Sequence, residues 1–222
     1  MSKILVIASH PDDEVLGCGG TISKHIKTGD TVTVCFLADG ISSRETVKET
    51  EQQRNQASKN ALKILGCLPP IFLNYPDNQL DTIPLLEIVK KIEKLIEQTQ
   101  ANIIYTQHYG DLNIDHKITH KAVMTACRPQ PGCSVKEIYC FETLSATHWQ
   151  SNSMGFAFTP NCFVDISNHF ENKMKALRCY DAEMRDFPHA RSYQAVESLA
   201  KLRGSFVGIE YAEAFVIERI TC

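Results

Sequence analysis

Two stretches of uninterrupted apolar sequence near the start of the chain, Lys3–Ser9 (KILVIAS) and Thr31–Ala38 (TVTVCFLA), limit the fold more than any other feature. A strand without polar alternation has no face to turn toward water, so it belongs inside a sheet that is covered on both sides. Helical patterns lie between and after these runs. Gly20–Thr28 reads as one helix, Val47–Leu65 as a second that stops at Gly66, and Leu85–Gln98 (LLEIVKKIEKLIEQ) as a third, its apolar residues recurring every three and four positions. Pro70–Leu73, Asn102–Thr106 and Val135–Phe141 read as further strands, and His116–Cys127 as a helix. This alternation predicts an α/β fold with a parallel sheet, in which ligands collect at the carboxyl ends of the strands.

After Thr143 the sequence becomes looser and richer in aromatic residues and asparagine. A strand at Cys162–Ile166, helices at Phe170–Met184 and Tyr193–Arg203 and a last strand at Glu210–Ile217 are expected there. No repeat or low-complexity linker interrupts the chain. Residues 1–222 are therefore read as one domain, a Rossmann-like, doubly wound, mainly parallel sheet whose C-terminal region walls the site.

Composition excludes several partners. With 23 basic against 26 acidic residues the net charge is −3, and no basic run could track a phosphate backbone, so nucleic acid is not expected. The apolar stretch before His10 is too short for a signal peptide or a membrane span, which places the protein in the cytoplasm. Nine cysteines are scattered singly with no CxxC spacing, as expected of reduced thiols that pack as small hydrophobes.

Two constellations carry chemistry. His10-Pro11-Asp12-Asp13-Glu14 stands where the first buried strand leaves the sheet, and three carboxylates in five residues repel one another unless a cation neutralises them. An acidic helix N-cap is the competing reading. The second, His108-Tyr109-Gly110-Asp111-Leu112-Asn113-Ile114-Asp115-His116 followed by His120, comes directly after another strand. Its position doubles the supply of metal ligands on one edge of the sheet. Mixed nitrogen and oxygen ligands suit Zn²⁺, with Fe²⁺ as the alternative.

The runs SHPDDEVLGCGGT and GDLNIDH, together with ADGISSR, the YPD at Tyr75–Asp77 and the C-terminal GIEYAEAF, resemble the LmbE-like/PIG-L family of zinc-dependent N-acetylglucosaminyl de-N-acetylases. The resemblance implies zinc ligands at His10, Asp13 and His116, with Asp12 as general base. It also implies a homo-oligomer, trimeric or hexameric, acting on a small amino-sugar or sugar-conjugate substrate. Members often carry a histidine three residues before the last ligand, where this chain has Asn113. An amide can donate to an oxyanion but cannot act as an acid.

His189, in the PHARS segment, is the first candidate for the missing acid and His108 the second. Arg44 and Asp77 are expected to contact the polar part of the substrate, His108 to line the same region, Asp115 to orient a ligating imidazole, and Trp149 to stack on a sugar. The function expected is removal of an N-acetyl group from an amino sugar or its conjugate. The alternatives are an amidase or esterase acting on another acyl group, and a non-catalytic sugar- or nucleotide-binding module. For the last, Gly17, Gly19 and Gly20 would have to form a phosphate loop, which their GxGG spacing and the acidic neighbours oppose.

Overall fold

A computed structural model describes residues 1–43, 50–151 and 155–222. Seven strands form one sheet in the order β3-β2-β1-β4-β5-β7-β6. They are β1 (Lys3–Ala8), β2 (Thr31–Ala38), β3 (Ile71–Tyr75), β4 (Ile103–Gln107), β5 (Glu137–Phe141), β6 (Cys162–Asp165) and β7 (Ala212–Ile220). The first five run parallel, and β7 is antiparallel to both β5 and β6.

Alternate residues of the central strands feed two separate cores. Ile4, Val6 and Ala8 of β1 pack with α1 (Asp13–Lys27), α2 (Glu51–Leu65), α5 (Phe170–Leu177) and α6 (Tyr193–Ser205). Leu5 and Ile7 face α3 (Leu85–Thr99) and α4 (Ile114–Ala126) on the other side. Both sets are almost entirely removed from water, which is why β1 carries no polar alternation.

The structure changes some expected boundaries. Helix α1 starts at Asp13 instead of Gly20 and runs through the glycine cluster with a kink at Cys18. A Cβ on Gly17 would stand 2.2 Å from the Phe141 ring, and one on Gly20 2.8 Å from Ile166. These glycines let the helix lie close on the sheet, and they do not form a phosphate loop. Glu213 of β7 fixes this approach by accepting the backbone N–H groups of Gly20 and Thr21 at 2.9 and 2.7 Å, with Lys173 as its buried counter-ion at 2.6 Å. The helix expected over Phe170–Met184 stops at Leu177 and continues as a 3₁₀ segment, Arg178–Glu183. Among the described residues, no helix is long and apolar enough to cross a membrane.

Candidate metal centre and active site

β1 and β4 are neighbours at the point where the strand order reverses, so the loops leaving their carboxyl ends diverge and leave a crevice between them. His10 follows β1, Asp12 is the N-cap of α1 and Asp13 its first residue. On the other side, Asn113 caps α4, its Oδ1 accepting the Asp115 N–H at 2.8 Å, and His116 lies in the first turn.

The two loops converge on Oδ2 of Asp13. His10 Nδ1 is 3.3 Å and His116 Nε2 3.2 Å from that atom. Gln107 Nε2 and the His10 backbone N–H both donate to it at 2.9 Å. His10, Asp13 and His116 are buried and each offers one ligand atom within 4.8 Å of the others. The outer nitrogens are backed by carboxylates. His10 Nε2 lies 3.0 Å from Asp115 Oδ2 and 3.1 Å from Asp77 Oδ1, and His116 Nδ1 lies 3.1 Å from Asp111 Oδ2. These carboxylates are themselves held. Asp115 accepts the N–H groups of Asn78 and Leu80 at 2.7 and 2.9 Å, and Asp111 accepts the Thr147 hydroxyl at 2.7 Å. An imidazole gripped at one nitrogen by an anchored carboxylate presents the other to an ion with its orientation set.

The electrostatics of the cluster suit a cation. Burial alone would push the His10 and His116 imidazoles down, yet the surrounding carboxylates override it, raising His10 well above its ordinary value and His116 to about 9. Burial pushes the Asp13 carboxyl up, but the two imidazoles outweigh that and hold it well below the usual range. Among the described residues, Oδ1 of Asp13 and Oδ1 of Asp12 are buried with no hydrogen-bond partner. Two nitrogens and a carboxylate with an unused oxygen are a donor set that fits Zn²⁺ or Fe²⁺.

Asp12 adopts a φ of 115°, a left-handed conformation that costs a non-glycine residue roughly 1–3 kcal/mol. The turn separates two adjacent carboxylates: Asp13 serves the imidazoles while Asp12 faces two arginines. Arg191 Nη1 is 2.7 Å and Arg54 Nη2 3.3 Å from Asp12 Oδ2. Burial raises the Asp12 carboxyl above the ordinary aspartate range, and Arg191 and Arg54 hold back part of the rise. The third carboxylate of the motif, Glu14, points away. It accepts the Asp12 N–H at 3.0 Å and the Tyr180 hydroxyl at 2.7 Å, and burial pushes its carboxyl up to about 8.

His10, Asp12, Arg54, Asp77, Asn113 and Arg191 line a polar pocket of about 170 Å³ above this cluster. Of the residues expected to touch substrate, Asn113 is at the rim, one of its amide hydrogens going to Asn78 Oδ1 at 3.1 Å. Asp77 also lines the pocket, but its carboxylate is engaged by His10 Nε2 and by the Ser43 hydroxyl. His189 does not reach the pocket. It is exposed, its Nδ1 accepts the Arg191 N–H at 3.0 Å, and its ring meets Trp149 edge-on, so this segment delivers Arg191 in its place. His108 is also absent from the lining: its Nδ1 accepts the Gly110 N–H at 3.0 Å and its ring packs on Phe158. Arg44 lies outside the described residues.

Three contributors are unassigned in the sequence, Gln107, Arg54 and Arg191, and Asp111 is counted there only among the ligands of the second constellation, without a role of its own. Gln107 and Asp111 carried a signal, a polar residue ending a buried strand and a second aspartate beside the ligand-bearing helix. Arg54 carried none, since an arginine in an amphipathic helix reads as solvated.

The family model described as PIG-L, GlcNAc-PI de-N-acetylase, matches residues 5–127, a span that holds all three candidate ligands. The uncharacterized deacetylase YaiS of Escherichia coli (strain K12) is 32% identical over 181 residues, which cover 79% of this chain and 88% of the relative. The diacetylchitobiose deacetylase of Thermococcus kodakarensis is 27% identical over 233 residues, 96% of this chain and 82% of the relative. The solved structure of N,N'-diacetylchitobiose deacetylase from Pyrococcus horikoshii superposes with a TM-score of 0.79 at 22% identity, covering 98% of this chain and 84% of that one. The chain belongs to the PIG-L family of GlcNAc de-N-acetylases.

Proposed function

We propose that this chain is a metal-dependent hydrolase that removes the acetyl group from an N-acetylated amino sugar or sugar conjugate. The convergence of His10 Nδ1 and His116 Nε2 on Asp13 Oδ2, with Asp12 held beside them by two arginines, carries this reading. The deacetylases among the relatives, one of them named for diacetylchitobiose, supply the substrate class.

His10, Asp13 and His116 would hold the ion, Zn²⁺ before Fe²⁺. When bound, such an ion supplies Lewis acidity toward an acyl oxygen and lowers the pKa of a water to about 7. Asp12 takes the proton of the attacking water and passes it to the departing amine. Its raised carboxyl pKa brings it nearer the operating pH, where proton transfer in both directions is efficient. Arg191 and Arg54 fix the orientation of that carboxylate. Asn113, which lines the pocket, would donate its remaining amide hydrogen to the developing oxyanion, an electrostatic role that needs no proton transfer. At about 170 Å³ the pocket is smaller than the ~300 Å³ at which sites for drug-sized ligands begin, so it admits the acetamide end of a substrate whose remainder lies outside.

The test is acetate release from a panel of N-acetylated sugars and conjugates by zinc-loaded protein, with Asp12→Asn as control. Acetate from a panel member, abolished in the variant, is the expected result. A zinc-loaded protein that releases no acetate but cleaves other N-acyl amides or esters would shift the reading to a different acyl substrate, and zinc binding without any turnover would overturn it.

A further inference from the structure

A second group of potential ligands lies on the α3–α4 side of the sheet. His120 of α4, Cys140 of β5 and Glu218 of β7 each offer a ligand atom within 4.8 Å of the other two. His120 and Cys140 are buried, whereas Glu218 is exposed, so the group is open on one side. We propose that these three residues form a second metal site, separate from the one built on His10, Asp13 and His116, for a thiophilic divalent cation such as Zn²⁺.

Three features of the fold assemble it. The first is a bulge in the β5–β7 ladder: Ile138 pairs with Arg219 and Tyr139 with Ile217, which leaves Glu218 as the extra residue. A bulge re-aims side chains out of strict alternation. Here Arg219 turns to α4, donating to the Cys127 carbonyl at 2.7 Å, while Glu218 comes against Cys140 and His120. The second is the state of the imidazole. His120 Nδ1 lies 3.1 Å from the Gln107 carbonyl and 3.5 Å from Cys140 Sγ, so the nitrogen that faces the thiol is Nδ1, which takes a cation with its proton moved to Nε2. Burial also holds this histidine below its ordinary pKa, in the neutral form that ligates metals. The third is the thiol. Cys140 Sγ is 3.5 Å from the same ring, and burial together with the Glu218 carboxylate keeps it protonated. The Cys140 thiol hydrogen-bonds to the Glu218 carboxylate, and a cation between them would take the place of that proton and use both groups. One nitrogen, one sulfur and one oxygen form a borderline-soft set that selects zinc over magnesium or calcium, and the open side leaves room for a water as fourth ligand.

The test uses cobalt as a spectroscopic substitute for zinc in the chelator-treated, full-length protein. The His10 cluster has no sulfur, so of the candidate clusters among the described residues only the second would produce a thiolate-to-cobalt charge-transfer band in the near ultraviolet. The expected result is two metal equivalents per chain and that band. Cys140→Ser should lose the band and one equivalent with deacetylase activity retained, and His116→Ala should keep the band. Glu218→Gln, an exposed change that leaves the core intact, should weaken cobalt binding at this site by roughly tenfold or more. One equivalent with no band in the unaltered protein overturns the proposal, as does a band that survives Cys140→Ser in a variant with native circular dichroism.

Discussion

Arg191 Nη1 meets Asp12 Oδ2 at 2.7 Å, joining residues 179 positions apart, while the Arg191 Nε–H donates to Ser145 Oγ at 2.8 Å. A guanidinium held at two points fixes the carboxylate it touches. Arg191→Ala should therefore lower kcat by roughly 10–100-fold, the equivalent of one charged hydrogen bond of about 1.5–3 kcal/mol, with metal content unchanged. Arg191→Lys should restore only part of the loss, because an ammonium cannot reproduce the fork. Equal kcat in Arg191→Ala and the parent would remove Arg191 from the mechanism.

If His116 holds the ion, the carboxylate behind it should set the affinity. Asp111→Asn removes the charge facing His116 Nδ1 while Thr147 remains in place, and zinc affinity should fall by about 10–100-fold. Competition with a chromogenic chelator measures this, and an unchanged dissociation constant would show that Asp111 does not orient the ligand.

On the proposed reading, zinc would have to displace protons from this site. With His116 at about 9 and His10 raised, binding should release protons and tighten as pH rises toward 9. Calorimetry in buffers of different ionisation enthalpy counts those protons, and a count of zero contradicts the geometry. In the chelated protein the sign reverses. A pKa raised from 6.5 to about 9 contributes stability that is fully present below about 6.5 and is lost as pH rises through 9. Urea denaturation of the metal-free form should therefore show falling stability over that window.

Helix α1 approaches the sheet more closely than a side chain permits. Gly17→Ala would place a methyl group against the buried Phe141 ring and should cost about 1–3 kcal/mol, read as a lower urea midpoint. Gly132→Ala, where a Cβ meets nothing within 4 Å, provides a comparison in open space, although its φ of 86° adds backbone strain of its own.

The ligand-bearing loops were legible because both follow apolar strands whose carboxyl ends share one edge, and the sheet topology brought them together as the alternation of elements implied. The glycine cluster was misread because glycine is a poor helix former in isolation, and only the packing against Phe141 and Ile166 explains why a helix runs through it. In the PHARS segment the sequence points to His189 as the residue able to carry a proton, with no sign of a role for Arg191. The backbone of that segment decided otherwise by turning the histidine to Trp149 and the arginine to Asp12. Asp77 followed a strand as expected but backs His10 in place of reaching outward as a free sugar contact.

The clamp of Glu213 on the N–H groups of Gly20 and Thr21 spans 193 and 192 positions. During synthesis, all three candidate ligands have left the ribosome once residue 116 has emerged, yet the helix that carries Asp13 is not pinned until the last strand arrives, and Asp12 waits on Arg191 until nearly as late. On the proposed reading, the three ligands are synthesised well before the contacts that hold Asp12 and helix α1 in place. The proposed activity would then wait on the segment that carries β7.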